Sequence, residues 1–306
     1  MPGTAATVSS TTARWPFTVT DGRATGPGAF DMKAGLVQGL FALRGFDRLE
    51  AITLLVTTDE EIGSPTSRAL IEDEARRARA VLVLEPGLGG QVKVARKGVS
   101  MYHLAVTGRA AHAGLEPERG INALVELAAQ VPVIASFGEA ALGTSSTPTL
   151  AHAGSTINTV PAGAHLDIDV RAWTLDEQAR VDRAMHSLAP SLPGAVLDVT
   201  GGVNRPPLED RRSFALVKLA QESAEAVGIP WTGTARVGGA SDGNFTGALG
   251  VPTLDGLGAV GAGAHAEGEY VDVTAMPGRA AMLRALIERI VALPSGALAA
   301  ASDETL

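Results

Sequence analysis

The sequence contains no cysteine. That removes disulfides, thiolate nucleophiles and cysteine-type zinc sites at once, but it says nothing about redox compartment. Aromatic residues make up only 4%, and of the 25 basic residues just four are lysine (positions 33, 93, 97 and 218). In an alanine- and glycine-rich chain this arginine bias is read as genomic base composition rather than function. No stretch approaches the roughly 18 consecutive apolar residues of a membrane span, so no membrane partner is expected. The formal net charge is −8, and the one basic cluster is Arg76, Arg77 and Arg79. A nucleic-acid groove is therefore not expected either. Residues 1–12 are small and polar, with neither a basic start nor an apolar stretch. No signal peptide is read there, and a cytoplasmic location is the expectation.

What the chain does have is length and apolar content. Its 306 residues are 45% hydrophobic and 19% charged, against roughly 25% charged in an average globular chain. That composition supplies enough apolar surface to offset chain entropy. The length favours two domains or one large α/β unit.

Up to about residue 89 the pattern alternates strand and helix. Ile52–Thr58 and Val81–Leu84 are β-branched, apolar runs that predict buried parallel strands. Met32–Leu43 and Ser67–Ala80 predict helices between and before them, the punctuation of a mostly parallel sheet. Beyond Lys97 the character changes. Ser100–Thr107 alternates as a half-exposed strand, and Gly120–Ala135 predicts an amphipathic helix with Ile121, Leu124, Val125 and Ala128 on its apolar face. Ala164, Leu166, Ile168 and Val170 alternate with His165, Asp167, Asp169 and Arg171, as in an antiparallel sheet with one solvated face. Asn204-Arg205-Pro206-Pro207 breaks the chain, a helix is predicted over Asp210–Val227, and a last one starts at Thr274 with Leu283, Leu286, Ile287, Ile290 and Val291 on one stripe. The expected organisation is an α/β domain in two segments, 1–97 and 204–293. An α+β insertion over 98–203 separates them, and a disordered tail follows over 294–306.

Acidic residues fall where a parallel sheet places its ligands, just past the carboxyl ends of strands. Asp59-Glu60-Glu61 follows the first predicted strand, Glu85 follows the second, and Asp31 ends a glycine-rich turn that opens a helix. Carboxylates gathered at one sheet edge repel unless a cation holds them together. His265, in the glycine-rich loop Gly256–Gly268, adds an imidazole. Histidine with carboxylates favours zinc, with manganese or cobalt as substitutes. Two adjacent acids at one strand end permit a division of labour, one ligating and the other acting as general base toward water. Taken singly, each of these acids is more simply a helix cap or a solvated turn.

Seven motifs run in order over residues 15–292: GPGAFDMKAG (26–35), TTDEEIGS (57–64), VLEPG (83–87), GRAAHAGLEPERGINAL (108–124), INTVPAGAHLDIDVR (157–171), GGASDG (238–243) and GAHAEGEYVDV (263–273). On these residues the sequence resembles the dizinc metallopeptidase family that contains glutamate carboxypeptidase, aminoacylase and succinyl-diaminopimelate desuccinylase, and it is most similar to the folate-hydrolysing glutamate carboxypeptidase branch. The resemblance implies an α/β, phosphorylase/hydrolase-like catalytic domain with an inserted α+β, ferredoxin-like lid and dimerisation domain. It also implies two zinc ions per subunit and a homodimer. Asp31 matches the bridging carboxylate, Glu61 and His265 ligands of one zinc, and Glu85 a ligand of the other. Glu60 matches the general base. His112 matches a histidine that steadies the oxyanion in the partner subunit's site. Arg171 matches an arginine that grips the substrate's terminal carboxylate, while Asn158 and Gly239 match substrate contacts. A cis bond between Asp31 and Met32 is implied as well.

The implied activity is hydrolysis of a carboxyl-terminal amide in small peptides or N-acyl amino acids, releasing glutamate. Aminoacylase and dipeptidase activities remain open. One departure stands out. Where the family has a His-x-Asp-Thr-Val segment ahead of Arg14-Trp15-Pro16-Phe17, this chain has Thr4-Ala5-Ala6-Thr7-Val8. The first zinc histidine and the first strands of the sheet are then missing, which implies one well-formed metal site, impaired activity and marginal solubility. A degenerate, noncatalytic dimeric binder or a mis-started fragment is the competing expectation.

Overall fold

The computed structural model describes residues 15–294 and 296–298. The Thr4–Val8 segment and most of the expected disordered tail lie outside the described residues. Contacts divide the chain into two compact units. One holds the residues up to Arg96, Leu208–Val237 and those from Ser241 on, and the other holds Lys97–Pro207 with Gly238–Ala240.

In the first unit, strands β1 (Thr18–Thr20) and β2 (Arg23–Thr25) form an antiparallel hairpin. A π-type turn over Ala29–Lys33 leads into helix α1 (Ala34–Leu43). Helix α2 (Arg68–Arg77) precedes strands β3 (Val81–Leu82) and β4 (Val92–Arg96).

The second unit runs β5 (Gly98–Thr107), α3 (Ala123–Ala135), β6 (Ser145–Ala153), β7 (Gly163–Ala172), α4 (Leu175–His186) and β8 (Val196–Arg205). Its four strands pair antiparallel in the order β6-β7-β5-β8. A β-α-β-β-α-β succession with that order is the ferredoxin-like topology.

The chain then returns to the first unit with α5 (Phe214–Ala226), β9 (Thr234–Val237), α6 (Gly243–Ala248), β10 (Thr253–Leu254), β11 (Gly261–Ala262), β12 (Tyr270–Asp272) and α7 (Met276–Ala292). Here β3 pairs parallel with β10 and β4 parallel with β9, while β2, β12 and β11 continue the antiparallel hairpin. The core joins Val92 and Leu254 from strands to Leu216 and Ala220 of α5 and to Met282 and Leu286 of α7. Each apolar side chain buried in this way contributes on the order of 1.5–3 kcal/mol. Among the described residues no helix is long and apolar enough to cross a membrane.

Three sequence expectations need correction. Asn204-Arg205-Pro206-Pro207 does not break the chain at residue 204: Asn204 and Arg205 end β8, with Arg205 still opposite Val99 of β5, and the first unit resumes at Leu208. Ile52–Thr58 is not a buried parallel strand: no ladder is assigned to it, and Leu54, Leu55 and Val56 are exposed. A β-branched run becomes a strand only by pairing, and among the described residues nothing pairs with this one.

Helix α3 is also rotated from its expected face. Ala123, Leu127 and Ile134 are buried together with Glu126 and Gln130, whereas Leu124, Val125 and Ala128 face outward. The reason is polar. The Glu126 carboxylate accepts the backbone N–H of Ser191 and Leu192 and the side-chain amide of Gln130, so its burial is fully hydrogen-bonded. Asn122 fixes the start of the helix by capping the N–H groups of Leu124 and Val125. The alternation on β7 holds as expected: Ala164, Leu166, Ile168 and Val170 are buried against Leu127, Val181 and Met185, and the intervening polar residues face solvent.

Candidate metal centre

The centre is built within the first unit. Asp31 stands at the end of a turn whose path requires glycine, since Gly28 has φ 69°. The buried Glu269 carboxylate accepts the backbone N–H groups of Gly28, Phe30 and Asp31 at 2.9, 2.7 and 2.7 Å, which pins the turn. The Asp31–Met32 peptide bond is cis, as the resemblance implied. The helix that follows approaches β3 closely: a Cβ on Gly35 would lie 2.0 Å from the Leu84 carbonyl oxygen. Only glycine there lets Asp31 sit beside the end of β3, where Glu85 emerges.

Glu60 and Glu61 lie in a single 3-10 turn, Glu60–Ile62. Asp59 does not join the site. Its carboxylate accepts the N–H and hydroxyl of Thr66 at 2.8 and 2.6 Å and the hydroxyl of Ser67, and these bonds hold it well below the usual carboxylate range. Asp242 braces the same turn from the other side, accepting the hydroxyls of Thr57 and Ser64 at 3.0 and 2.5 Å. His265 lies in the loop between β11 and β12 with φ 62°, an uncommon conformation for a non-glycine residue.

These three segments bring Asp31, Glu61 and His265 together. One ligand atom from each lies within 4.8 Å of the others, and His265 Nε2 is 3.4 Å from both Asp31 Oδ2 and Glu61 Oε2. Asp31 is mostly buried, while Glu61 and His265 are open to solvent. Two carboxylates and an imidazole within reach of one another form a donor set suited to a divalent transition ion. Burial raises the Asp31 pKa, and Glu61 raises it further. A cation would relieve both penalties, so the residues present fit such an ion.

Glu85 is buried at the end of β3 and is not part of that three-residue group. Burial first, then Asp255 and Asp31, push its pKa up to about 8. Arg96, 3.6 Å away, does not offset this. Its guanidinium is committed to Asp255, with Nε to Oδ2 at 2.7 Å and Nη2 to Oδ1 at 3.1 Å. The Ser241 hydroxyl donates to the same Asp255 at 2.6 Å. Burial also pulls the Lys93 amine below its ordinary range, and Arg96 lowers it further. Glu60 is close enough to raise Glu85, so the sheet edge carries a dense set of acids around two cations.

Asp255, Arg96, Lys93 and Glu269 were not singled out from the sequence. Asp255 follows a two-residue strand between Pro252 and Gly256, too short to display a period, and the signal for Glu269 was only its place in the histidine loop.

The other candidates lie in the second unit. His112 Nδ1 accepts the Gly114 N–H at 3.1 Å, and His112 bridges to Thr159 beside Asn158, whose carbonyl accepts the Ala113 N–H at 2.9 Å. Arg171 on β7 is half-buried and holds the Asp169 carboxylate through Nε and Nη2, both at 2.8 Å. Gly239 lies on the Gly238–Ala240 loop, which groups with this unit.

Residues 7–289 match the Peptidase family M20/M25/M40. The chain is 35% identical over 293 residues to carboxypeptidase G2 of Pseudomonas sp. (strain RS-16), covering 90% of this chain and 69% of that protein. It is 28% identical to a succinyl-diaminopimelate desuccinylase of Azoarcus sp. (strain BH72), covering 85% and 73%. Among solved structures, the aminopeptidase PepT of Bacillus cereus superposes with a TM-score of 0.71 at 22% identity over 90% of this chain and 76% of that one. An M20 family metallo-carboxypeptidase of Sulfolobus solfataricus gives 0.66 at 18%, over 92% and 82%. At these identities the two structures speak for the fold alone.

Proposed function

Because the chain belongs to the M20/M25/M40 peptidase family and is therefore a hydrolase, we propose that it cleaves the carboxyl-terminal amide bond of small peptides or N-acyl amino acids, with glutamate as the released residue. The observation that carries this reading is the meeting of Asp31, Glu61 and His265, with Glu60 next in sequence. The similarity to carboxypeptidase G2 supports the carboxypeptidase direction.

In this reading Asp31, Glu61 and His265 would hold a zinc ion, or cobalt or manganese in its place, and Glu85 would ligate a second. Such an ion would supply Lewis acidity and lower the pKa of water toward neutrality. Glu60 takes the proton of the attacking water and returns it to the leaving amine. His112, from the second unit of a partner subunit, donates a hydrogen bond to the oxyanion. Arg171 turns its guanidinium from Asp169 to the substrate's free carboxylate, and Asn158 and Gly239 contact the substrate. The catalytic role is assigned to the first unit, and the lid and dimerisation role to the second, Lys97–Pro207. The outward apolar residues Leu124, Val125 and Val133 of α3 support a homodimer through the latter, and sedimentation of the purified chain tests that.

The deciding assay offers the zinc-loaded chain a panel of N-acyl amino acids and dipeptides, with acyl-glutamates among them. Release of glutamate that falls about 100- to 10,000-fold in Glu60→Gln, at unchanged metal content, is the expected result. A metal-loaded chain that hydrolyses none of the panel would overturn the proposal.

A further inference from the structure

Three of the six histidines stand side by side on the open face of the four-stranded sheet. His152 on β6 lies directly opposite His165 on β7, and His103 on β5 lies opposite Asp167, one step diagonal from His165. The rings of His152 and His165 stack at 5.3 Å and 15°, and those of His103 and His165 approach to 5.4 Å at 33°. All three line an open concavity of about 600 Å³, rimmed by the loop that carries Ser155, Thr156 and Thr159.

Packing does not explain them. The neighbours along β5 and β7, Leu104, Ala164 and Leu166, point to the opposite face and make the core, and Ala153 beside His152 on β6 packs partly against it. The histidines contribute no buried surface there, and stacked imidazoles at an open sheet face gain little from one another in water.

Ligand chemistry does explain them. Side chains directly opposite across antiparallel strands have Cβ atoms about 4.5–5.5 Å apart. Two imidazole nitrogens about 2.0–2.1 Å from a shared ion fit that spacing after side-chain rotation, with no change of backbone. His103 supplies the third nitrogen from the neighbouring strand. Its Nδ1 is already 2.7 Å from Asp167 Oδ1, the carboxylate–histidine arrangement that fixes the tautomer and leaves Nε2 to ligate. As they stand the rings stack rather than converge, so the site needs rotamer changes at the exposed His103 and His152 and at the half-buried His165.

We propose that His103, His152 and His165 form a second transition-metal site, oriented through Asp167. It lies wholly within the second unit and uses none of the residues of the Asp31 centre. Three imidazoles select zinc, copper or nickel over magnesium or calcium. The ion ties β5, β6 and β7 together across the face.

Zinc titration of the untagged full chain, followed by calorimetry, tests this. The Asp31→Asn/His265→Ala variant, which disables the first centre, serves as the background. In that background the expected result is one zinc ion bound per chain at micromolar concentration. Adding His152→Ala and His165→Ala removes it, and adding Asp167→Asn instead weakens it about tenfold or more. Circular dichroism verifies that each variant is folded. Should the double histidine change not fold, His165→Asn alone carries the comparison. Zinc bound only at millimolar concentration, or bound equally well without His152 and His165, would overturn the proposal. Both outcomes are read without any assay of hydrolysis, so they stand apart from the proposed activity.

Discussion

Nε2 of His265 lies 3.4 Å from Oδ2 of Asp31, although one residue ends a glycine-rich turn near the start of the described chain and the other sits in a loop close to its end. The same nitrogen is 3.4 Å from Glu61 Oε2. This contact makes a clear prediction. His265→Ala should weaken zinc binding at this centre by more than about a hundredfold, beyond the loss that outer-shell changes cause. Because the His265 side chain is 66% exposed, stability should move by no more than about 0.5 kcal/mol. Equilibrium dialysis and thermal melts read the two effects separately.

Glu85 gives a pH dependence whose sign is fixed by its burial. In the metal-free chain its pKa is pushed up from 4.5 to about 8, so folding favours the neutral acid. The stability that the neutral acid contributes is complete below the unfolded value and is lost as pH rises through about 8. With a chelator present, the melting temperature of Glu85→Gln minus that of the unchanged chain should therefore grow between pH 5 and 9. A difference independent of pH would mean that Glu85 is not held neutral.

Arg96 and Asp255 form a fully buried ion pair behind that acid, with both side chains at most 3% exposed. Removing one member leaves an uncompensated charge. Asp255→Ala should cost about 3–5 kcal/mol in denaturant unfolding, and the metal affinity of Glu85 should fall with it. Replacing both members by apolar residues should recover much of the stability.

Arg171 is paired with Asp169 at a half-exposed position, where an ion pair contributes about 0–1 kcal/mol. Arg171→Ala should accordingly leave the melting temperature nearly unchanged. It should raise KM for substrates with a free terminal carboxylate and spare those whose carboxylate is amidated. Steady-state kinetics on matched acid and amide substrates decide the matter.

Several features were legible in the residue pattern because they depend on local order. The alternation on β7 follows from its own side chains, whereas the helix Leu175–His186, capped by Thr174, was not read from the sequence. The acids after β3 and in the Glu60–Ile62 turn could be located by their place after apolar runs. The rotation of α3 was hidden, because a buried Glu126 satisfied by Ser191 and Leu192 reverses what apolar count alone suggests. The exposure of Ile52–Thr58 was hidden for a related reason: strand formation is a property of a pair of segments, and one segment cannot reveal its partner.

The sequence alone therefore determined which chemistry the chain could carry. Without cysteine, its metal ligands had to be carboxylates and imidazoles, and its glycines fixed where turns could bend sharply enough to present them. Tertiary structure alone decided which of those groups meet. Asp31, Glu61 and His265 come together, Asp59 is spent on capping its own turn, and Asp255 and Arg96 pair behind Glu85. Convergence of residues far apart in the chain depends on how strands and loops pack, and packing is settled by contacts summed over the whole fold rather than by any local run of side chains.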